Sequence, residues 1–144
     1  METSIKGPHS FLKEYFKLDT QAAKTYSPLT LAYIGDAVYE LIIRTIIVDQ
    51  GNAPVNKLHK KSSSLVNAKA QAGIAIRIGE HLTDEEMAVY KRGRNAKSNT
   101  VAKNASITDY RLATGFEALA GYLYLNDQMK RLVELIKRGL EDDK

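Results

Sequence analysis

Apolar residues recur along this chain at three- and four-residue spacing, and strand-like alternation is rare. Proline and glycine are scarce inside the periodic segments, so the pattern predicts an all-α protein. A short helix is expected over Ser10–Lys17, followed by a weakly helical stretch around Asp19–Thr25. The first strong helix is predicted to start at Ser27-Pro28, with serine as N-cap and proline at the first helical position. It runs to about Gln50, where Gly51-Asn52 ends it. Leu29, Leu31, Ala32, Ile34, Val38, Leu41, Ile42, Ile43, Ile46 and Ile47 make it apolar on nearly every face, which predicts a central helix buried by its neighbours.

The next region, Pro54–Gly79, has an apolar stripe through Leu58, Leu65, Ala68, Ala72, Ala75 and Ile76, and Ser62-Ser63-Ser64 is a candidate break. Thr83-Asp84-Glu85-Glu86 reads as a capping box that opens a short helix ending near Lys91. Arg92–Ala105 has no periodicity and reads as a loop. A helix is expected from Thr108-Asp109 to about Leu125, and a last amphipathic one over Met129–Leu140 through Leu132, Val133, Leu135, Ile136 and Leu140. No repeat or second domain is evident, so the 144 residues read as one domain.

Composition narrows the function classes. A hydrophobic fraction of 44% supports one core without disulfide or metal support. The chain has no cysteine, which removes zinc clusters and thiol nucleophiles and suits a reducing cytosol. Its polar start, Met1–Ser10, has no signal-peptide pattern, and the most apolar stretch is interrupted by Asp36, Glu40 and Arg44, so a cytoplasmic protein is expected. The net charge of +4 is uneven: residues 51–105 hold ten bases and four acids, whereas each flank is close to neutral. A basic middle suits either a polyanion or a solvated surface.

Three features are candidates for chemistry. Asp36 sits mid-helix after a glycine, with Glu40 four residues on, so the two share a face. A divalent cation relieves such like-charge proximity, but on spacing alone pairing to Arg44 or another base, or simple exposure, is the favoured explanation. Glu117 is the one acid in Ala113–Leu125, a segment rich in the small residues Ala113, Gly115, Ala120 and Gly121. A lone carboxylate there requires a base, such as Arg111 or Arg44, or a metal ion. Two such helices could together bind Mg²⁺, which takes oxygen ligands and keeps several waters. Finally, Lys91, Arg92, Arg94 and Lys97 place four cations in seven residues, interleaved with Gly93, Asn95 and Ala96, a composition suited to phosphate contacts. The Gly-x₄-Gly-Lys spacing of a nucleotide-binding loop is absent. Lys57, His59, Lys60 and Lys61 form a second basic group.

At these residues the sequence resembles the ribonuclease III superfamily. Tyr33-Ile34-Gly35-Asp36-Ala37-Val38 is similar to that family's signature helix, and Phe116-Glu117-Ala118-Leu119-Ala120-Gly121 to its second catalytic stretch. Leu58-His59-Lys60-Lys61-Ser62-Ser63, Lys91–Ser98 and Tyr110-Arg111 resemble the mini-ribonuclease III branch in particular. The resemblance spans about Leu29 to Leu125. It implies a homodimer of helical nuclease domains that cleaves double-stranded RNA with Mg²⁺, or Mn²⁺ in its place, leaving 5′-phosphate and 3′-hydroxyl ends. It further implies maturation of 23S-type large-subunit ribosomal RNA precursor, with a ribosomal protein as a candidate presenter of the RNA.

By the same resemblance Asp36 and Glu117 are the catalytic and metal-binding residues, and Lys60, Lys61, Arg92, Arg94, Asn95 and Lys97 the RNA-binding ones. No double-stranded-RNA-binding domain is expected, because only about twenty residues follow Leu125. The larger family's additional acids are replaced here by Leu29, Ala32 and Thr114. Those departures leave open a rival reading, a catalytically inactive RNA-binding or ribosome-associated protein of the same fold. A helical adaptor without RNA is a third.

Overall fold

The computed structural model describes residues 7–97 and 106–141. It has seven α-helices and no strand among the described residues. They are α1 (Pro8–Phe16), α2 (Pro28–Asp49), α3 (Val55–Val66), α4 (Ala68–Ile78), α5 (Asp84–Asn95), α6 (Ile107–Leu125) and α7 (Met129–Glu141). The central contact is α2 against α6; α4 and α5 pack on the remaining sides of α6, α3 on α2, and α7 on α4 and α6.

Caps set the boundaries much as the sequence predicts. The Ser27 side chain accepts from the Thr30 amide at the start of α2, and the Thr83–Glu86 capping box opens α5. Ser106 caps α6 by accepting from the Asp109 amide. Asn67, not the serine cluster, separates α3 from α4: its side chain accepts from the Ala70 amide and donates to the Ser63 carbonyl. Ser62 is instead buried within α3. The weakly helical stretch contracts to a 3₁₀ turn at Ala23–Thr25, where only Ala23 has core to pack against.

Four expectations need correction. First, α2 is not buried all round. Leu31, Ala32, Gly35, Val38, Tyr39, Ile43 and Ile47 face the core. Tyr33 at 83%, Leu41 at 63%, Leu29 and Val48 are exposed, together with Asp36 and Ala37. Second, α5 does not stop near Lys91 but continues to Asn95. Gly93 lies flush on α6, where an added Cβ would come within 2.6 Å of the Ala118 Cβ and 3.0 Å of the Gly115 Cα. Close backbone contact replaces the apolar side chains that periodicity detects. Residues 98–105 of the expected loop lie outside the described residues. Third, Ile76 is 68% exposed; the inward face of α4 is Gln71, Ala72, Ile74, Ala75 and Ile78. Fourth, Val133 is exposed while Leu132, Leu135 and Ile136 supply the buried face of α7.

The core is continuous through α2, α4, α6 and α7. Tyr39 meets Phe116 edge-on at 5.1 Å and donates its hydroxyl to the Leu65 carbonyl at 2.6 Å. Buried Glu86 pairs with Arg131 at 2.8 Å, and Arg131 also donates to the His81 carbonyl, joining α5 to α7. The Arg131 guanidinium holds the Glu86 carboxyl below its ordinary value, against the opposing effect of burial. No described helix is long and apolar enough to cross a membrane.

Candidate active site

The crossing of α2 and α6 is unusually close, and two glycines permit it. A Cβ on Gly35 would lie 1.8 Å from the Glu117 carbonyl oxygen, and one on Gly121 would lie 2.0 Å from the Leu31 carbonyl oxygen. Both obstacles are backbone, so any side chain at either position pushes the helices apart. The residues after Gly35 and four before Gly121 are Asp36 and Glu117. Glycine thus brings the two helices together where each carries its acid.

Asp36 is exposed and Glu117 half-buried, and the two carboxyl groups lie close enough for the charge of one to act on the other. The Glu117 carboxyl is pushed up to about 8, first by burial, then by the negative charge of Asp36. Gln71 on α4 acts in the opposite direction. Neither sequence alternative for Glu117 holds: no ion pair joins it to Arg44 or Arg111 among the described residues. Arg44 pairs instead with Glu40, four residues before it on α2, so Glu40 belongs to a surface ion pair.

This donor set fits Mg²⁺. Two adjacent carboxyls, one of them pushed toward its neutral form by burial first and by the other's charge second, relax when a divalent cation takes the proton's place. No group of three or more His, Cys, Asp or Glu side chains that could hold a metal occurs among the described residues, so a bound ion would draw most of its shell from water or substrate oxygens. The position where the larger family has a further acid, Thr114, is buried, and its hydroxyl donates to the Tyr110 carbonyl of its own helix. Leu29 is exposed and Ala32 buried on α2, neither with a side-chain oxygen to offer.

The basic residues fall into two groups. Lys60 and Lys61 are exposed on α3. Arg92 and Arg94 occupy the last turn of α5, where cations also suit the helix dipole, and Asn95 and Lys97 follow. Gly93 in this turn rests on the Thr114 carbonyl, Gly115 and Ala118, the part of α6 that bears Glu117. Arg92 donates at 3.3 and 3.4 Å to the Lys24 and Tyr26 carbonyls, so part of its capacity is used within the fold. Arg94 lies over the Tyr90 ring and donates to the Asn95 side chain. Reading the sequence missed Gln71, whose only signal is a single amide on the Ala- and Ile-rich inward face of α4.

A model of the ribonuclease III domain matches residues 29–128. The chain is 48% identical to mini-ribonuclease 3 of a Thermoanaerobacter species over 98% of its length and 97% of the relative's. It is 52% identical to mini-ribonuclease 3 of Clostridium tetani over 88% of its length and 86% of that protein. A crystal structure of a Fusobacterium nucleatum protein superposes with a TM-score of 0.77 at 31% identity, over 86% of this chain and 95% of that one.

Proposed function

The chain belongs to the ribonuclease III family, and from that premise we propose that this endoribonuclease cuts double-stranded RNA with Mg²⁺ held by Asp36 and Glu117. The observation that supports the assignment is the meeting of the two carboxyl groups at the glycine-lined crossing of α2 and α6. The chemistry Mg²⁺ supplies when bound is activation of water and neutralisation of charge at the scissile phosphate. Asp36, at the surface, is reachable by a large substrate, while half-buried Glu117 is held in place by the core behind it. Hydrolysis that breaks the bond to the 3′ oxygen leaves 5′-phosphate and 3′-hydroxyl ends.

Lys60, Lys61, Arg94 and Lys97 contact backbone phosphates, Asn95 adds a hydrogen-bonding amide, and Arg92 contributes with the donors its carbonyl contacts leave over. Duplex RNA is recognised chiefly by shape, 2′-hydroxyls and phosphates, which suits cations on rigid helices. The exposed apolar face of α2, with Leu29, Tyr33, Leu41 and Val48, supports a homodimer. Similarity to mini-ribonuclease 3 proteins is consistent with a role in maturing large-subunit ribosomal RNA; on this reading the enzyme works in the cytoplasm on a precursor that a ribosomal protein presents.

The test is incubation of the purified protein with a uniform RNA duplex and with its separate strands, in Mg²⁺ and in EDTA. Cleavage of the duplex alone, and only with Mg²⁺, is expected. Retention of duplex without cleavage would favour the inactive RNA-binding reading, and no retention even at low salt would reject both. Arg94→Ala or Lys97→Ala is expected to weaken duplex binding for all sequences and to reduce the slope of log K against log salt by about one each. An unchanged slope in titrations across salt would remove that residue from the interface.

A further inference from the structure

Arg92 and Arg94 stand two residues apart at the end of α5 and are held by different means. Arg92 directs its donors to the Lys24 and Tyr26 carbonyls. Arg94 is half-buried; its guanidinium carbon lies 5.9 Å from the centre of the Tyr90 ring, and its Nε donates to the Asn95 Oδ1 at 3.2 Å. Among the described residues its terminal nitrogens, Nη1 and Nη2, have no partner, and no carboxylate pairs with it. The ring beneath it is fixed. Tyr90 is 9% exposed, and a Cβ on Gly115 would stand 2.7 Å from its Cε1 and 2.8 Å from its Cδ1. The ring fills the space that a side chain at residue 115 would take, on the helix that carries Glu117 two residues later.

We propose that Tyr90 is a positioning residue for duplex RNA: its ring, seated on Gly115 of α6, holds the Arg94 guanidinium so that both terminal nitrogens are presented to one backbone phosphate. This rests on the basic end of α5 being part of the RNA interface. A free arginine side chain loses much rotamer freedom when it binds, and a contact that orders it beforehand reduces that loss. A carboxylate would order it too, but would neutralise the charge that attracts the phosphate. An aromatic face attracts the cation and leaves its charge and its in-plane N–H donors available. Two parallel N–H bonds from one guanidinium match the geometry of a phosphate. With so little of its own surface exposed, Tyr90 acts through Arg94 and not as a stacking platform for bases. Because the ring rests on α6, the phosphate contact keeps a fixed register against the helix that bears Glu117.

The experiment is a double-mutant cycle on the full chain, read as the Kd for a uniform RNA duplex in Ca²⁺ across a range of salt, with thermal melting in parallel. The variants are Tyr90→Phe, Tyr90→Leu, Tyr90→Met, Arg94→Ala and Tyr90→Leu combined with Arg94→Ala. Tyr90→Phe keeps the ring and is expected to bind like wild type. Tyr90→Leu is expected to bind roughly 2- to 5-fold more weakly, the scale of one cation–aromatic contact. In the Arg94→Ala background the same change is expected to cause no further loss. Tyr90→Met, whose flexible chain fills an irregular space, is expected to match Tyr90→Leu and decides should that variant fail to fold. Equal losses from Tyr90→Leu with and without Arg94 would overturn the proposal and leave Tyr90 as a core residue, as would wild-type affinity in Tyr90→Leu beside a weakened Arg94→Ala. Wild-type affinity and salt slope in Arg94→Ala would instead remove Arg94 from the interface, and this inference with it.

Discussion

Asp36→Asn is expected to lower the single-turnover cleavage rate by about 10³-fold or more while leaving the fold and duplex affinity nearly unchanged. The scale follows from the site's sparseness. Loss of an outer-shell partner already costs roughly 10- to 100-fold in metal sites, and Asp36 supplies one of two carboxylates. The selectivity follows from exposure. Asp36 is at the surface of α2, makes no ion pair among the described residues, and asparagine keeps its shape and its capacity to hydrogen-bond Glu117. Substitutions of that kind stay within about 0.5 kcal/mol of wild-type stability. Removing its charge also removes one of the causes that raise the Glu117 carboxyl, so no new strain is introduced. Duplex binding measured with Ca²⁺, cleavage measured with Mg²⁺, and a circular-dichroism melt separate the three quantities. Wild-type cleavage by Asp36→Asn would end the assignment. Because the two acids act as a unit, the Asp36→Asn/Glu117→Gln double variant is expected to be no slower than the slower single one.

How much of this was legible in the sequence differs between the two acids and their surroundings. The helical order was legible because Ser27, Thr83 and the apolar periodicity each act locally. Asp36 and Glu117 were conspicuous for a related reason: a charge in an apolar helix violates a local rule, and such violations mark sites. Their meeting was not legible, since it depends on an interhelical approach set by Gly35 and Gly121, residues with no hydrophobic signal. The same blindness shortened α5, whose last turn is held through Gly93. The exposed face of α2 was misjudged because its composition is that of a buried helix, and only tertiary structure tells which apolar side chains the fold leaves uncovered. Gln71 was invisible for the opposite reason: a glutamine among alanines looks like solvent-facing surface until the helix is seen packed on α6.

Gly35→Ala is expected to be among the most destabilising single substitutions in the chain, at about 3 kcal/mol or more, a fall in Tm of roughly 6–12 °C for a domain of this size. The new Cβ would stand 1.8 Å from a carbonyl oxygen, with the Gly121 amide nitrogen at 2.7 Å. Neither atom is the end of a flexible side chain, so relief requires moving α2 against α6, the most extensive packing in the fold. A control separates this from the general effect of replacing glycine. Gly79 has helical φ and nothing within 4 Å of an added Cβ, so Gly79→Ala should stay within about 0.5 kcal/mol. The displaced oxygen belongs to Glu117 itself, so the substitution also separates the acids. At temperatures where Gly35→Ala remains folded, cleavage should still be lost, and Mn²⁺ affinity with it. An unaltered melt for Gly35→Ala would mean that the helices do not approach this closely. A lowered melt with full activity would mean that the approach serves the fold and not the placement of Glu117 against Asp36.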